Sequence, residues 1–408
     1  MPGLVQGPPV SEARGLFPGA AARPYLNVGQ RSLLATPVRD AIQGFLDRWE
    51  RGESDKGGLF DTIERARVRF ARLIGAQPDE VAWIKNVTEG FNLFLRSLDW
   101  SPGDEIVFCP DLEHPANVLP WRNVAARHRV RLIPVPPDEG RLPSERIAEA
   151  VGPKTRAVAV SAVTFSPGFE TDLEPLREAC RRSGALLLLD AAQSVGTLQT
   201  RVERAGCDML AVATQKGLLG TYGAGFLFVR RDLAESLAPA SLGRYGVGGS
   251  AGDDQVPETA LPDGGIAYAA GARRFELGNF NYLGAVAADA GLGVLERFGA
   301  TAVDRHNRSL AARLAAGFLE MGLPVAGGPP GPQLGHIVSV GEAGAGSHDT
   351  VEDPRIESLH RQLARARIEH SVRRGVLRFA VHLYNDESDV DRTLEEARVW
   401  RRRRAVRF

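Results

Sequence analysis

Two residues of complementary chemistry close two apolar runs. Asp190 ends the stretch ALLLLD, and Lys216 follows the stretch DMLAVA within TQKGLLG. Each has a simple reading by itself. An aspartate followed by small residues can cap a helix, and a lysine in a turn between apolar strands is usually exposed to water. Together they say more, because both fall at the carboxyl ends of what read as neighbouring strands, the edge of an open α/β sheet where ligands bind. An amine and a carboxylate facing one cavity suit pyridoxal 5'-phosphate. The amine forms a Schiff base with the aldehyde, and the carboxylate keeps the ring nitrogen protonated so that the ring draws charge from the substrate Cα into a quinonoid. The same arrangement gives a buried Asp190 a cationic partner.

The elements that must position these residues can be read from the chain. Its 408 residues exceed one simple core and predict a large and a smaller domain. The composition, 43% hydrophobic and 25% charged, is that of a globular protein. Lys+Arg and Asp+Glu balance at 50 each, so no bulk field favours nucleic acid or an anionic membrane. The closing RRRRAVRF reads as a solvated tail or helix end. Cys109, Cys180 and Cys207 follow no CxxC pattern, which suits a reducing compartment and offers neither a disulfide frame nor a metal site. No apolar run approaches the roughly 18 residues of a membrane span. The opening MPGLVQGPPV lacks the basic-then-apolar order of a signal peptide, so a soluble, cytoplasmic protein is expected.

Residues 1–24, rich in Pro, Gly and Ala, read as an irregular arm. From Val38 to Arg69 the pattern is helical, broken near Gly52 to Gly58. The runs EVAWI, EIVFC, RLIPV, AVAVSAV, ALLLL, DMLAVA and GFLFV each fit a strand buried on both faces. Amphipathic segments such as LEPLREACRRSG lie between them, ending in a glycine that suits a helix stop. The alternation predicts an α/β sheet with helices on both sides over residues 25–283, and a smaller α+β domain over residues 284–408. Residues 243–270, dense in Gly, Asp and Ser, read as a long loop of the kind that carries function.

DAAQSVG, then TQKGLLG, then GFLFV, resembles the class V aminotransferase group of fold-type I pyridoxal phosphate enzymes. Cysteine desulfurases, C–S lyases, isopenicillin N epimerase and kynureninase belong to that group. The resemblance runs from Tyr25 to beyond Asn385, with the motifs in the family's order. It implies a large, mainly parallel-sheet domain, a smaller C-terminal domain and further site residues. NVTEGFN resembles the phosphate-cup turn, in which backbone N–H groups of Val87 and Thr88 and the Thr88 hydroxyl receive phosphate. Gln215 stands where the family often has a histidine and can also reach the phosphate. Asn279, in RFELGNFN, corresponds to a residue that completes the cup across a homodimer interface. His114, in LEHPANVLPW, matches the histidine that stacks on the cofactor and can move a proton at Cα.

Gln193 is expected to donate to the cofactor's O3′. Phe165 departs from the pattern, standing where desulfurases carry an asparagine near that oxygen. Arg378 aligns with the arginine that grips the substrate α-carboxylate, although Arg373 and Arg374 lie close by. A persulfide-forming desulfurase is not expected, because the loop that would carry its cysteine is shortened to VRRGVLR and holds none. The expected chemistry is β-elimination of the C–S lyase type or transamination on an amino acid or amino-acid conjugate. Epimerisation of the isopenicillin N epimerase type is the alternative, as is a family member that binds the cofactor without catalysis. No GxGxxG, Walker or HExxH pattern points elsewhere.

Overall fold

The structure, a computed structural model, describes residues 7–405 apart from 54, 139, 249–265 and 345–346. The seven apolar runs form seven strands: β1 Val81–Ile84, β2 Glu105–Phe108, β3 Arg131–Pro134, β4 Thr155–Ser161, β5 Leu186–Asp190, β6 Met209–Ala213 and β7 Gly225–Val229. They make one sheet in the order β1-β7-β6-β5-β4-β2-β3. Pairing is parallel from β6 through β5, β4 and β2 to β3, while β7 runs antiparallel to both β6 and β1.

Side chains alternate between two cores with the period of two that a pleat imposes. In β6, Leu210 and Val212 join one core, while Met209, Ala211 and Ala213 join the other. One run departs from the expectation of burial on both faces. The end residues of β3, Arg131 and Pro134, are exposed, because the strand lies at the sheet edge, where a proline costs no ladder hydrogen bond.

The helices begin and end as the sequence suggests. Val87–Arg96 starts where the Asn86 side chain accepts from the Glu89 N–H at 2.9 Å. Gly90 lets this helix sit on the sheet, since a Cβ there would stand 2.8 Å from Ile84 Cδ1. Glu174–Ser183 stops at Gly184, which adopts the left-handed region at φ 74°. Thr36–Glu50 and Lys56–Ile74 are separate helices, with Gly52 between them at φ 72°.

The expected division at 283/284 falls inside the helix Tyr282–Phe298, whose buried Ala285, Ala288 and Leu292 join a core of the large sheet. The C-terminal part carries its own antiparallel sheet in the order β8-β10-β9, where β8 is Ile337–Val340, β9 Ser371–Arg373 and β10 Val376–Ala380. A third core, including Leu314, Phe318, Leu363, Phe379 and Trp400, packs against it. The N-terminal segment is more ordered than the irregular arm expected. It holds a 3₁₀ helix, Val10–Leu16, and a short helix, Pro18–Ala22, with Arg14 paired to Asp389 at 2.7 Å. Of the long loop, residues 249–265 lie outside the described residues, and its ends meet through a bridge between Val247 and Tyr268. The last three residues of the basic tail, 406–408, also lie outside them.

Candidate active site

Five strand ends converge on one cavity of about 140 Å³. Asp190 ends β5 and sits beside Ser161, its register partner at the end of β4. Gln215 and Lys216 follow β6, Asn86 to Thr88 follow β1, and His114 lies in the loop after β2. Of the expected residues, Val87, Thr88, His114, Asp190, Gln193, Gln215 and Lys216 all line this cavity. Asn279 does not; it is exposed to solvent on its own chain. Arg378 lies behind Phe165, a lining residue, and donates to the Phe165 carbonyl at 2.6 Å.

The electrostatics follow from burial. Asp190 is 4% exposed, and burial pushes its carboxyl upward, against a backbone hydrogen bond from Ala192 at 2.9 Å and the nearby Lys216. Burial pulls Lys216 down to about 8, with the Asp190 carboxylate resisting and Arg378 and Arg373 adding to the fall. The amine stays mostly protonated near pH 7, yet roughly a tenth of it is neutral and nucleophilic there, far more than for an ordinary lysine. His114 falls to about 4, through burial first and then the positive charge of Lys216, His348, Arg378 and Arg374. It is a neutral imidazole, and its Nδ1 accepts from the Ala116 N–H at 3.1 Å, which leaves the proton on Nε2.

Two participants escaped the sequence reading. Glu113, adjacent to His114, is fully buried and accepts from the Ser161 N–H at 2.7 Å, the Ser161 hydroxyl and the Asn117 side chain at 2.9 Å. Burial raises it to about 7, with the Asp190 charge adding to the rise. It ties the His114 loop to the end of β4, next to Asp190. The second is the hold of the C-terminal part on the site's loops, beyond the substrate arginine that the sequence placed there. Arg374, in the turn between β9 and β10, donates to the carbonyls of Asp111 and Glu113 in the same loop, the latter at 3.1 Å. His382 donates Nε2–H to the carbonyl of Gly217, directly after Lys216, at 3.0 Å.

Several buried polar atoms around this cavity lack a partner: Gln193 Oε1, Arg378 Nη2 and His382 Nδ1. One N–H of Gln193 is already given to the Gly29 carbonyl at 2.9 Å, so the other remains for a ligand. Such orphaned groups are costly unless something fills the space. All three cysteines are buried, none lines the cavity, and burial raises the Cys109 and Cys180 thiols to about 12 and drives that of Cys207 higher still.

With this geometry in hand, comparisons with known proteins agree on one relationship. The Aminotransferase class-V family model matches residues 32–393. The chain is 30% identical over 383 residues to an uncharacterised aminotransferase, YcbU, of Bacillus subtilis, covering 94% of this chain and 96% of the relative. It is 30% identical over 308 residues to a probable cysteine desulfurase of Pyrococcus abyssi, covering 74% of each. Among solved structures, a cysteine desulfurase from Thermococcus onnurineus superposes with a TM-score of 0.80 at 24% identity, covering 96% of this chain and 97% of that one. The cystine C–S lyase C-DES, in complex with its product cysteine persulfide, gives 0.80 at 24% identity, covering 94% and 99%. These two likenesses establish the fold.

Proposed function

The chain belongs to the class-V aminotransferase family, and on that premise we propose that it uses pyridoxal 5'-phosphate to act at Cα and Cβ of an amino acid or amino-acid conjugate. The reaction is β-elimination of the C–S lyase type or transamination. The observation that carries this reading is one cavity lined by a desolvated lysine, a buried carboxylate and Gln193, whose Oε1 has no partner. The residues fit the cofactor. Asp190 is a buried carboxylate that a cationic ring would compensate, Gln193 has an N–H to spare, and Thr88 and the helix start at Val87 present donors for a phosphate.

When bound, pyridoxal phosphate supplies an electrophilic aldehyde and an electron-withdrawing ring. The protein does the rest. Lys216 Nζ, its proton affinity lowered by burial, would attach the cofactor, take the proton from the substrate Cα and return it. Asp190 is placed to hold a proton on a ring nitrogen, which keeps a buried charge compensated. His114, neutral and braced by Ala116, offers a flat face for stacking. Arg378, with Nη2 free, is placed to receive a carboxylate.

In elimination, the Cα proton and the Cβ–S bond are lost, the sulfur leaves as a thiol, and water carries the remainder to pyruvate and ammonia. Sulfur capture by a protein thiolate has no support here, because the cysteines are buried, protonated and away from the cavity. Epimerisation requires proton return to the opposite face of Cα, for which His114 is the second group available.

The working unit is a homodimer. Asn279 and Thr88 are exposed on one chain, consistent with a phosphate site completed by a second. A groove of about 650 Å³ lined by Phe45, Trp49, Leu59, Phe280 and Tyr282 begins beside Asn279, and Trp49 there is 67% exposed. Among the described residues, no helix is long and apolar enough to cross a membrane, and three unpaired cysteines suit the cytoplasm.

The decisive experiment is borohydride reduction of purified protein followed by peptide mass spectrometry. A pyridoxyl adduct on Lys216, with a band near ~420 nm lost on reduction, supports the reading. An adduct elsewhere, or none, overturns it. A panel of amino acids and cysteine conjugates then separates pyruvate plus ammonia from a keto acid and from inverted chirality. Holoprotein inert to the whole panel would leave a cofactor binder without catalysis.

A further inference from the structure

Phe165 collects positive charge. Its ring lines the cavity, and the guanidinium carbons of Arg378, Arg374 and Arg373 lie 5.1, 5.7 and 6.0 Å from its centroid. His348 stacks on it at 5.4 Å, and His114 meets it edge-on at 4.9 Å. Three guanidinium groups on one phenyl ring repel one another, so their counter-charges matter.

Among the described residues, one carboxylate pairs with them. Asp349 binds Arg373, and its side chain is 67% exposed. Arg374 is held by carbonyl oxygens, those of Asp111 and Glu113. Arg378 is 1% exposed and touches the Phe165 carbonyl and the Ser371 hydroxyl at 3.2 Å, with Nη2 unpartnered. Burial and Arg373 drive Arg378 down to about 9. The field reaches the cavity, since Arg374 and Arg378 both depress His114. The phosphate donors proposed above belong to other elements, the turns after β1 and β6. One α-carboxylate satisfies Arg378 and leaves a cationic excess at Arg374 on the same ring.

We propose that the substrate carries a second anionic group on its side chain, a carboxylate or group of like charge, and that Arg374 selects for it while Phe165 packs its methylene segment. This rests on the amino-acid substrate inferred above. The acceptors of Arg374 occupy two of its five N–H donors, which leaves the group anchored yet able to receive an oxyanion. Arg374 is partly exposed, at the outer side of Phe165, whereas Arg378 is buried beneath it. Depth therefore separates the two anion positions. Arginine serves here because its planar fork can hold a carbonyl with one edge and a carboxylate with another.

The test compares S-carboxymethyl-L-cysteine with S-ethyl-L-cysteine on the holoenzyme, two thioethers of similar size that differ in the distal charge. We expect kcat/KM at low salt to favour the carboxymethyl compound by at least ~10-fold, a gap that narrows as salt screens it. R374Q loosens the His114 loop and so slows both reactions, but it should cost the carboxymethyl compound far more and bring the ratio towards one, and R374K should restore part of the ratio. Equal rates for both substrates in the wild type, or equal losses for both in R374Q, would overturn the assignment. Should neither compound turn over, succinate against propionate as ligands gives an answer independent of the reaction. Stronger thermal stabilisation by succinate, lost in R374Q, supports the second anion position. Equal stabilisation by the two refutes it, whatever the chemistry proves to be.

Discussion

Replacing Glu113 by glutamine isolates the cost of a buried carboxylate beside the candidate site. The group is fully buried and raised to about 7 from its ordinary 4.5. A raised acid binds more protons in the folded state than in the unfolded state between those two values, so folding stability falls as pH rises through that window. Its contribution is fully present below about 4.5 and lost above about 7. Each tenfold change in proton affinity is worth roughly 1.4 kcal/mol, so the loss across the window is about 3 kcal/mol. Glutamine cannot ionise, so E113Q abolishes this slope.

The exchange has its own cost. Asn117 donates to Glu113 Oε2 while its own oxygen accepts from Trp121 Nε1 at 3.0 Å, so it cannot turn over to suit an amide N–H without breaking that bond. One hydrogen bond is lost, worth about 1 kcal/mol. E113Q should therefore be weaker than wild type at pH 5 and stronger at pH 8, with the two curves crossing between. Urea titrations of apoprotein at several pH values measure the difference between the curves. Parallel curves for wild type and variant would refute the reasoning, since the slope would then come from other groups.

Three further outcomes follow from the same structure. His370, buried against Phe379, is lowered to about 4, so it binds fewer protons when folded than the unfolded chain does below about 6.5. Stability is full above that pH and falls by about 3 kcal/mol as pH drops to 4; H370Q should show a shallower acid slope in the same urea titration. Asp190→Asn removes the charge that holds Lys216 up, so Lys216 should titrate below its present value of about 8, read by competitive acetylation of apoprotein with mass mapping, and an unchanged or higher value would count against the coupling. Gly291→Ala places a Cβ 2.5 Å from the Leu218 carbonyl, in the turn after Lys216, and should destabilise by about 1–3 kcal/mol with faster loss of cofactor on dialysis.

Much of the framework was legible because it is local. Apolar runs of strand length became the seven strands of the sheet, and Asp190 and Lys216 stood out because charge interrupts those runs. What escaped depends on partners distant in sequence. Glu113 gains its place from Ser161, 48 positions away, and Arg374 from a loop more than 250 positions away. No local pattern announces either contact. The order of strands is likewise set by pairing, so the exposed ends of β3 could not be read from RLIPV. Gln193 keeps one N–H for the donation expected of it, but that its other N–H goes to Gly29 in the N-terminal segment could not be read locally. Asn279 is exposed and lies apart from the cavity of its own chain, a placement that the local motif RFELGNFN does not reveal.

The grips of His382 on the Gly217 carbonyl and of Arg374 on the Glu113 carbonyl share a property. Both seize main-chain oxygens, which every amino acid supplies. Side chains in either loop can therefore drift over evolutionary time without loosening the mechanical link. Those two loops carry the amine and the imidazole that line the cavity. A small tilt of the C-terminal part would draw on both loops at once, so that a ligand seated against it would move the amine and the imidazole together.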